Sequence, residues 1–461
     1  MNLISRVFHL SMLITLASVP IVKAEVVPDG TLSTQVTSFD GQNFTIENGN
    51  RVGNNLFHSF SEFSVPTNGS AFFNNAITVE NILSRVTGSN TSNIDGLIRS
   101  NGTANMFLLN PNGIVFGENA SLDIGGSFVA STAERILFSD AIEFSAIDGV
   151  TPPLLTVSTP VGLGLGAQPS EITVAGSGHG LTEDFNTFAL IRDDRPVGLQ
   201  VNTGETLALI GGEILVEGGN LTANQGRIEL GSVAQAGEVA LIPTADGFTI
   251  DYAAIERFGD LRFTQAASVD VSGEGSGNIH FQGGNVAVSE GSAIISNVLG
   301  GDEGGDVTVR ASGLLEIQGE LENFPSGFFF QGGLGGTGQL GNFLFDVKTL
   351  RIEGGGRIVN QVSGQGDGGT IAIQANTIEI SGVSQDGSFG SGIFADVLPG
   401  AEGNAGSIEL FDVDLLRITD SAVIASPTFG SGDGGSIAIQ ADTIEISGVS
   451  QDGSFGSGIF A

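Results

Sequence analysis

Cysteine and tryptophan are absent from this 461-residue chain, and tyrosine occurs once. Without cysteine the chain can form no disulfide, no thiolate metal site and no thiol nucleophile. Lysine and arginine together number 16 against 51 aspartates and glutamates, which gives a formal net charge of −35. A chain this acidic repels the phosphates of nucleic acids and of anionic lipids, so we expect no nucleic-acid partner. The acidity is consistent with a soluble, exported protein.

Glycine and phenylalanine are abundant instead, with 71 and 31 residues. Glycine stands at about twice its average usage of about 7%, but it has no Gly-X-Y period, which excludes collagen. Hydrophobic residues make up 40% of the chain, which excludes an intrinsically disordered protein. Phenylalanine has no polar group, so it suits a dry core.

The first 24 residues have the pattern of a secretory signal peptide. Arg6 supplies a positive start, residues 10–20 are apolar and uncharged, and Val22-Lys23-Ala24 is a small-x-small cleavage site. The apolar stretch is too short to span a bilayer, and we expect no transmembrane segment in the mature chain. The sequence therefore predicts export.

Internal repeats dominate the second half of the chain. Residues 366–395 and 432–461 are identical except at Thr370/Ser436 and Asn376/Asp442, and they are offset by 66 residues. Weaker copies occupy residues 277–297, 305–319 and 406–426. Each copy has a glycine turn, then short alternating apolar segments such as Ile371-x-Ile373, which is the period of a β-strand.

Short strands between tight glycine and asparagine corners predict an all-β parallel β-helix, a solenoid. At 20–22 residues per coil, 66 residues would be three coils. About twenty coils at about 4.8 Å each would form a rod on the order of 100 Å long. Residues 130–138 (ASTAERILF) are the best candidate for a short helix. Because the chain stops at Ala461 with a strand edge that no cap covers, we expect a fragment of a longer repeat protein.

Several motifs between residues 55 and 130 resemble, in order, those of the filamentous haemagglutinin N-terminal domain, the secretion domain of two-partner secretion exoproteins. They are NLFHSF (55–60), NILSRVTG (81–88), IDGLIRSNG (94–102), FLLNPNGIVF (107–116) and GGSFVA (125–130). Residues 162–281 match the cyanobacterial members of the family more loosely. This organisation predicts a signal peptide (1–24), a two-partner secretion domain (25–150), a β-helix continuation (151–275) and glycine-rich β-helix repeats (276–461).

The resemblance implies a right-handed β-helix with an N-terminal capping and secretion domain. It implies a partner, an outer-membrane barrel transporter with periplasmic POTRA domains, in a Gram-negative cell. The family's asparagine-proline-asparagine-glycine motif falls on Asn110, Pro111, Asn112 and Gly113, so these residues are candidates for recognition by the transporter. A purely structural turn is the alternative, since Pro111 fixes φ while Asn112 and Gly113 tolerate left-handed geometry.

Other family positions favour structural roles. His58 and Arg85 lie in family motifs, and we expect Arg85 to pair with a carboxylate such as Asp95. An earlier asparagine-proline-asparagine-leucine motif of classical members is missing, and Asn74-Asn75-Ala76 stands roughly where it would fall.

Enzyme and ligand motifs are weak. Gly178-His179-Gly180 and the Asp193-Asp194 pair resemble parts of a polygalacturonase site, but the companion Arg-x-Lys is absent. Residues 333–338 (GLGGTG) fit a dinucleotide fingerprint without the helix that it needs. Residues 364–369 are a single glycine-aspartate segment, whereas toxin-type calcium sites need tandem copies. We therefore expect no catalytic residue, no cofactor and no specific metal site.

The prediction is a secreted or cell-surface exoprotein that is exported through the periplasm and has a structural or adhesive role. A cell-surface or glycan receptor remains open as a further partner. The alternatives are a polysaccharide-active β-helix enzyme and the stalk of a contact-dependent toxin whose effector would lie beyond residue 461.

Overall fold

A computed structural model describes residues 25–148, 153–183, 190–192, 195–196, 198–244, 247–385, 387–449 and 456–461, and the predicted signal peptide lies outside these ranges. Every regular element in the described residues is a β-strand. Up to residue 148 the strands are β1 (Val26–Pro28), β2 (Thr34–Thr37), β3 (Asn43–Asn48), β4 (Asn50–Val52), β5 (Asn55–Phe63), β6 (Ser70–Phe73), β7 (Asn81–Val86), β8 (Ser92–Ile94), β9 (Leu97–Ser100), β10 (Asn105–Leu109), β11 (Ile114–Phe116), β12 (Ser121–Asp123), β13 (Phe128–Ser131), β14 (Arg135–Phe138) and β15 (Glu143–Ser145).

Between residues 153 and 270 the strands are β16 (Pro160–Leu165), β17 (Ile172–Ala175), β18 (Thr182–Glu183), β19 (Leu190–Ile191), β20 (Leu199–Gln200), β21 (Thr206–Gly211), β22 (Ile214–Glu217), β23 (Asn220–Thr222), β24 (Arg227–Ser232), β25 (Gly237–Thr244), β26 (Gly247–Asp251), β27 (Leu261–Thr264) and β28 (Ser268–Asp270).

From residue 271 onward the strands are β29 (Asn278–Gly283), β30 (Val286–Ser289), β31 (Ala293–Ile295), β32 (Val307–Gln318), β33 (Glu320–Leu321), β34 (Phe324–Pro325), β35 (Gly327–Gln331), β36 (Phe343–Glu353), β37 (Arg357–Val362), β38 (Thr370–Ser381), β39 (Gly392–Val397), β40 (Ser407–Thr419), β41 (Val423–Ala425), β42 (Ser436–Ser447) and β43 (Gly458–Phe460).

The strands stack in three parallel ladders that the chain visits in turn. The first runs β5, β7, β10, β13, β21, β24, β29, β32, β36, β38, β40, β42. The second runs β8, β11, β17, β22, β27, β30 and then the carboxy-terminal halves of the long strands from β32 onward. The third runs β3, β6, β9, β12 and then β20, β23, β28, β31, β35, β37, β39, β41, β43. This confirms the predicted parallel β-helix.

Coil length differs from the prediction. Ile371 pairs with Ile408, 37 positions further on, and Ile408 pairs with Ile437 after another 29. The 66-residue repeat is therefore two coils, and the prediction of three was wrong. The first ladder holds twelve strands in the described residues, and their eleven spacings of about 4.8 Å give a rod of about 50 Å. The predicted twenty coils and 100 Å were too many and too long.

The core fills the inside of the coils because alternate residues of each strand point inward. On β38, Ile371, Ile373, Ile378 and Ile380 are fully buried. Except for the buried Ala375, the residues between them are half-buried or exposed. Phenylalanines stack inside the neighbouring coils, with the rings of Phe330 and Phe343 4.3 Å apart. One continuous apolar cluster runs along the rod from Val26 to Ile424.

Stacked glycines let adjacent coils approach closely at one corner. A Cβ at Gly366 would collide with the carbonyl oxygen of Gly338, one at Gly403 with that of Gly366, and one at Gly432 with that of Gly403. Only glycine fits at these corners without a steric clash between stacked coils, which explains part of the high glycine content.

A second sheet packs on the outside of the first ladder. Its strands β15, β14, β16, β25 and β26 pair antiparallel in that order. On β10, Phe107 and Leu109 point into the cluster under this sheet, whereas Met106 and Leu108 point into the rod. The helix predicted over residues 130–138 is wrong. This segment ends β13 and forms β14, because ladder partners and apolar neighbours on both faces favour extended backbone.

Antiparallel strands close the amino-terminal end of the rod. β1 and β4 pair with β5, and β2 pairs with β3. Val26 of β1 is buried in the main core. This arrangement is the predicted N-terminal cap, and it covers the edge that the first coil would otherwise expose.

Candidate functional site

The asparagine-proline-asparagine-glycine motif forms the corner between β10 and β11. The N–H of Gly113 donates to the carbonyl oxygen of Asn110 at 3.1 Å, which closes a β-turn. Gly113 has φ of 108°, where a Cβ would be strained, whereas Asn112 keeps a negative φ. The left-handed geometry expected for the motif therefore falls on Gly113 alone.

Asn110 is fully buried and acts as a structural clamp. Its Nδ2 donates to the carbonyl oxygen of Asn90 at 3.0 Å and to Oγ of Ser92 at 2.9 Å, both in the preceding coil. Its Oδ1 accepts the backbone N–H of Asn112 at 3.0 Å. Both ends of the amide are satisfied inside the protein, so this side chain offers no group to a partner of the folded chain.

Asn112 and Pro111 lie at the surface of the same corner. Asn112 is exposed, and its Nδ2 donates to the carbonyl oxygen of Gly88 at 2.8 Å. The carbonyl oxygen of Pro111 accepts Oγ of Ser170 at 2.6 Å, and that of Asn112 accepts Oγ1 of Thr91 at 2.9 Å. The turn is therefore rigid, and Asn112 is its accessible amide.

A polar groove with a volume of about 680 Å³ lies beside this corner. Asn90 and Thr91, which contact the turn, also line the groove. The remaining lining residues are Glu25, Glu62, Ser64, Asn93 and Val115. The turn and the groove together form an amide- and carboxylate-rich surface at the capped end of the rod.

Arg85 is fully buried in the first coils, and its predicted pairing with Asp95 is wrong. Its Nε donates to Oγ of Ser59 at 2.8 Å and its Nη2 to Oγ1 of Thr31 at 3.1 Å. Its guanidinium carbon lies 4.8 Å from the centre of the Phe144 ring, a cation–π contact.

The carboxylate in this network is Asp29, which follows β1. Ser59 and Thr31, both partners of Arg85, also donate to Asp29, and so does Thr87 at 2.8 Å. Burial raises the pKa of Asp29, but these hydrogen bonds outweigh it and hold the pKa below its ordinary value. Asp95 instead accepts hydrogen bonds from Thr67 and Asn119 on the surface.

His58 is buried and neutral. Burial lowers its pKa to about 3, because the apolar surroundings disfavour the charged ring. Its Nδ1 lies 3.3 Å from Oγ1 of Thr34, and its ring contacts those of Phe60 and Phe73. The structural role expected for His58 fits this environment.

Asparagines join neighbouring coils at two further places. Asn75 exchanges two hydrogen bonds with the backbone of Asn101, so the Asn74-Asn75-Ala76 segment is a corner brace. At the start of the first ladder, Nδ2 of Asn105 donates to Oδ1 of Asn81, and Nδ2 of Asn81 donates to Oδ1 of Asn55. Asn55 and Asn81 each open a quoted motif, and the recurrence of asparagine at Asn105 is the signal that could have predicted this ladder.

The predicted enzyme motifs do not form a site in the described residues. His179 is buried, with Nε2 2.7 Å from the carbonyl oxygen of Gly291 and Nδ1 accepting the N–H of Leu181 at 2.9 Å. Burial lowers its pKa to about 4. Asp193 and Asp194 lie outside the described residues. In residues 364–369, Asp367 accepts both the backbone and side-chain N–H groups of Asn404, which makes it part of a corner.

Sequence reasoning missed a cavity on the third face, lined by Glu183, Arg357 and Asp396 among others. Its members come from five separate stretches of the chain, so no sequence motif marks it.

The family model described as the TPS secretion domain matches residues 24–321, well over half of the chain. This chain belongs to the TPS secretion domain family. It is therefore a two-partner secretion exoprotein, a secreted protein whose partner is an outer-membrane transporter. The match extends beyond residue 150, and the domain boundaries given above stay a prediction.

A solved structure supports the fold. The HMW1 secretion domain from Haemophilus influenzae matches with a TM-score of 0.51 and 17% identity, over 90% of this chain and 99% of that one. A filamentous hemagglutinin secretion domain aligns with 95% of this chain and 99% of that one, at 14% identity and a TM-score of 0.32. A comparison with curated proteins gives no significant match. The described part of the chain holds no helix with the length and hydrophobicity of a bilayer span.

Proposed function

We propose that this TPS exoprotein uses its capped first coils as an export address and its rod as a structural or adhesive surface. The observation that carries the proposal is the family match over residues 24–321, which begins at the cap and includes the corner at residues 110–113. In this account the chain reaches the periplasm by its signal peptide and crosses the outer membrane through a barrel transporter with POTRA domains.

The transporter contact is proposed for the corner turn and the groove beside it. Asn112 supports this assignment because it is exposed, whereas Asn110 is used entirely inside the protein. Nδ2 of Asn112 donates to Gly88 and Asn110, so its Oδ1 is the atom that can accept a backbone N–H from a partner strand. A non-catalytic role is part of the proposal, and the internal hydrogen bonds of His179 support it.

Binding to the purified POTRA domains of the partner transporter tests the recognition step. The folded chain is titrated into labelled POTRA domains, and the affinity is measured by fluorescence anisotropy. Asn112→Ala is expected to weaken binding by about tenfold, the effect of losing about 1.4 kcal/mol.

Asn202→Ala is the matched control. Asn202 is exposed in another corner turn and donates to the carbonyl oxygen of Gly125 at 3.3 Å, as Asn112 donates to that of Gly88. The control should bind like the unmodified chain. Equal affinity of the Asn112→Ala variant and the control would contradict recognition through this turn.

A further inference from the structure

The third face of the rod carries a cavity of about 340 Å³ with an ordered lining. Strands β35, β37 and β39 place three rows of outward side chains next to one another. Cross-strand pairing aligns Phe329, Val359 and Phe394 in one row and Gln331, Gln361 and Asp396 in the next. The cavity therefore has an apolar strip beside a polar strip.

The polar strip is a connected hydrogen-bond ladder. Nε2 of Gln331 donates to Oε1 of Gln361 at 3.0 Å, and Nε2 of Gln361 donates to Oδ2 of Asp396 at 3.3 Å. The other oxygen of Asp396, Oδ1, is buried and has no hydrogen-bond partner among the described residues. A buried acceptor without a donor is costly, and a ligand hydroxyl could supply the missing donor.

Two further charged groups line the cavity. Arg357 occupies the third row, where its strand neighbours are Gly327 and Gly392, and its guanidinium carbon lies 5.4 Å from the centre of the Phe394 ring. Glu183 lines the cavity from β18. Burial raises the pKa of Glu183 and of Asp396, so both carboxyls hold protons more readily than usual.

Further apolar side chains line the cavity. Leu190, Leu398, Pro399 and Phe429 belong to the lining. Phe429 is 63% exposed, a high value for a phenylalanine in a chain that buries most of its rings. Exposed aromatic rings at the edge of a pocket are common features of binding sites.

We infer that this cavity binds a neutral pyranose unit of a glycan. Such a ring has an apolar C–H face for Phe394 and Phe429, and hydroxyls that both donate and accept at Asp396, Gln361 and Arg357. Two carboxyls disfavour an anionic ligand, and the guanidinium disfavours a cation. The volume lies at the lower end of the roughly 300–1,000 Å³ range of small-molecule pockets, which fits one or two sugar rings.

The inference deepens the adhesive part of the proposed function and rests on it for its biological setting. The test is carried out on the purified chain without the transporter, so failure of export and failure of sugar binding are distinguishable. Saturation-transfer NMR measures binding of the methyl glycosides of glucose, galactose and mannose. Methyl galacturonoside and glucosamine serve as the anionic and cationic comparisons.

At least one neutral glycoside is expected to bind, and Phe429→Ala and Asp396→Asn should each weaken that binding about tenfold. Phe39→Ala and Asp433→Asn are the matched controls, because both residues are exposed and lie outside the cavity lining. They should bind like the unmodified chain. Thermal midpoints verify folding, and Phe429→Ala keeps the test valid if Asp396→Asn does not fold.

Three results would overturn the inference. The first is no saturation transfer from the folded, unmodified chain to any neutral glycoside. The second is unchanged binding in every folded cavity variant, which would place the sugar elsewhere. The third is tighter binding of the galacturonoside or of glucosamine than of every neutral glycoside.

Discussion

At the scale of single residues, the corner motif separates into two roles that its sequence does not distinguish. Asn110 and Asn112 are both asparagines of one turn, but the first is buried between coils and the second is exposed. The sequence could indicate a turn from Pro111 and Gly113. It could not show which amide faces the preceding coil, because that depends on how β7 and β10 stack.

Asn110→Ala should therefore act on stability. It removes an amide whose loss leaves the carbonyl oxygen of Asn90 and Oγ of Ser92 without this donor. We expect the free energy of unfolding to fall by about 2–3 kcal/mol, measured by urea denaturation. The exposed Asn202→Ala change should cost less than about 1 kcal/mol. Equal losses in the two variants would contradict the clamp role.

The partner of Arg85 was mispredicted for a similar reason. Asp95 lies close in sequence, but Asp29 reaches Arg85 through Ser59 and Thr31 because the antiparallel strand β1 brings the start of the chain back along β5. No local pattern reports that long-range pairing.

Buried neutral histidines make stability pH-dependent. The pKa of His58 is about 3 when folded, against 6.5 as its ordinary value, so between these limits the unfolded chain binds a proton that the folded chain does not. The free energy of unfolding should therefore fall as the pH drops below about 6.5, at about 1.4 kcal/mol per pH unit for this group.

His58→Gln removes this group, so its stability should decline less steeply than that of the unmodified chain between pH 6 and 5. Urea denaturation at several pH values measures the slope within each protein, so a constant loss of stability in the variant does not affect the comparison. His179→Gln, which removes a histidine with a pKa of about 4, should reduce the slope similarly. Identical slopes in the variants and the unmodified chain would contradict burial of neutral rings.

At the scale of elements, the 66-residue repeat is two coils because alternate coils carry opposite charges. Glu316, Arg351, Glu379, Arg417 and Glu445 occupy one register position in successive coils. Their N–O distances along this ladder are 3.3, 3.6, 3.0 and 2.9 Å. If every coil carried the same sequence, like charges would face each other along this ladder. A repeat of two coils with opposite charges at this position avoids that repulsion. Each partly exposed pair contributes little to stability, but the ladder favours one register.

Deleting residues 366–431 tests the two-coil unit. The deletion joins Gln365 to Gly432, which restores the same glycine-aspartate corner and lets Glu445 take the place of Glu379 beside Arg351. This protein should fold and unfold cooperatively. Small-angle scattering should show a rod about 10 Å shorter, which is two strand spacings.

The matched comparison is deletion of residues 366–387. If the 66-residue repeat were three coils of 22 residues, this deletion would remove one whole coil and leave the stability of the rod unchanged. It removes all of β38 while keeping β39, so one coil loses two of its three faces. We expect a much lower thermal midpoint or aggregation. A stable, cooperative protein from this shorter deletion would contradict the two-coil assignment.

At the scale of the whole molecule, the fold class followed from the sequence and the dimensions did not. Alternating apolar triplets between glycine corners were enough to indicate a parallel β-helix. The length was overestimated because every residue was assigned to a coil of about 22. Leu207 stands 79 positions after its ladder partner Phe128, and the outer-sheet strands β14, β15 and β16 are inserted in this interval.

The cavity on the third face could likewise not be predicted from the sequence. Its lining combines β18 and β19 with β35, β37 and β39. Only the stacking of coils brings these side chains together. The export role, in contrast, is carried by contiguous motifs between residues 55 and 130, so the sequence alone could indicate it.

Dependence on a partner transporter tests the central claim most directly. The full chain is expressed in a Gram-negative host with and without the cognate outer-membrane transporter, and the protein in the medium and in the periplasm is quantified. We predict that the chain appears outside the cell only with the transporter and remains in the periplasm without it. A chain lacking residues 1–24 should stay in the cytoplasm in both strains. Equal amounts of the full chain in the medium with and without the transporter would contradict the account.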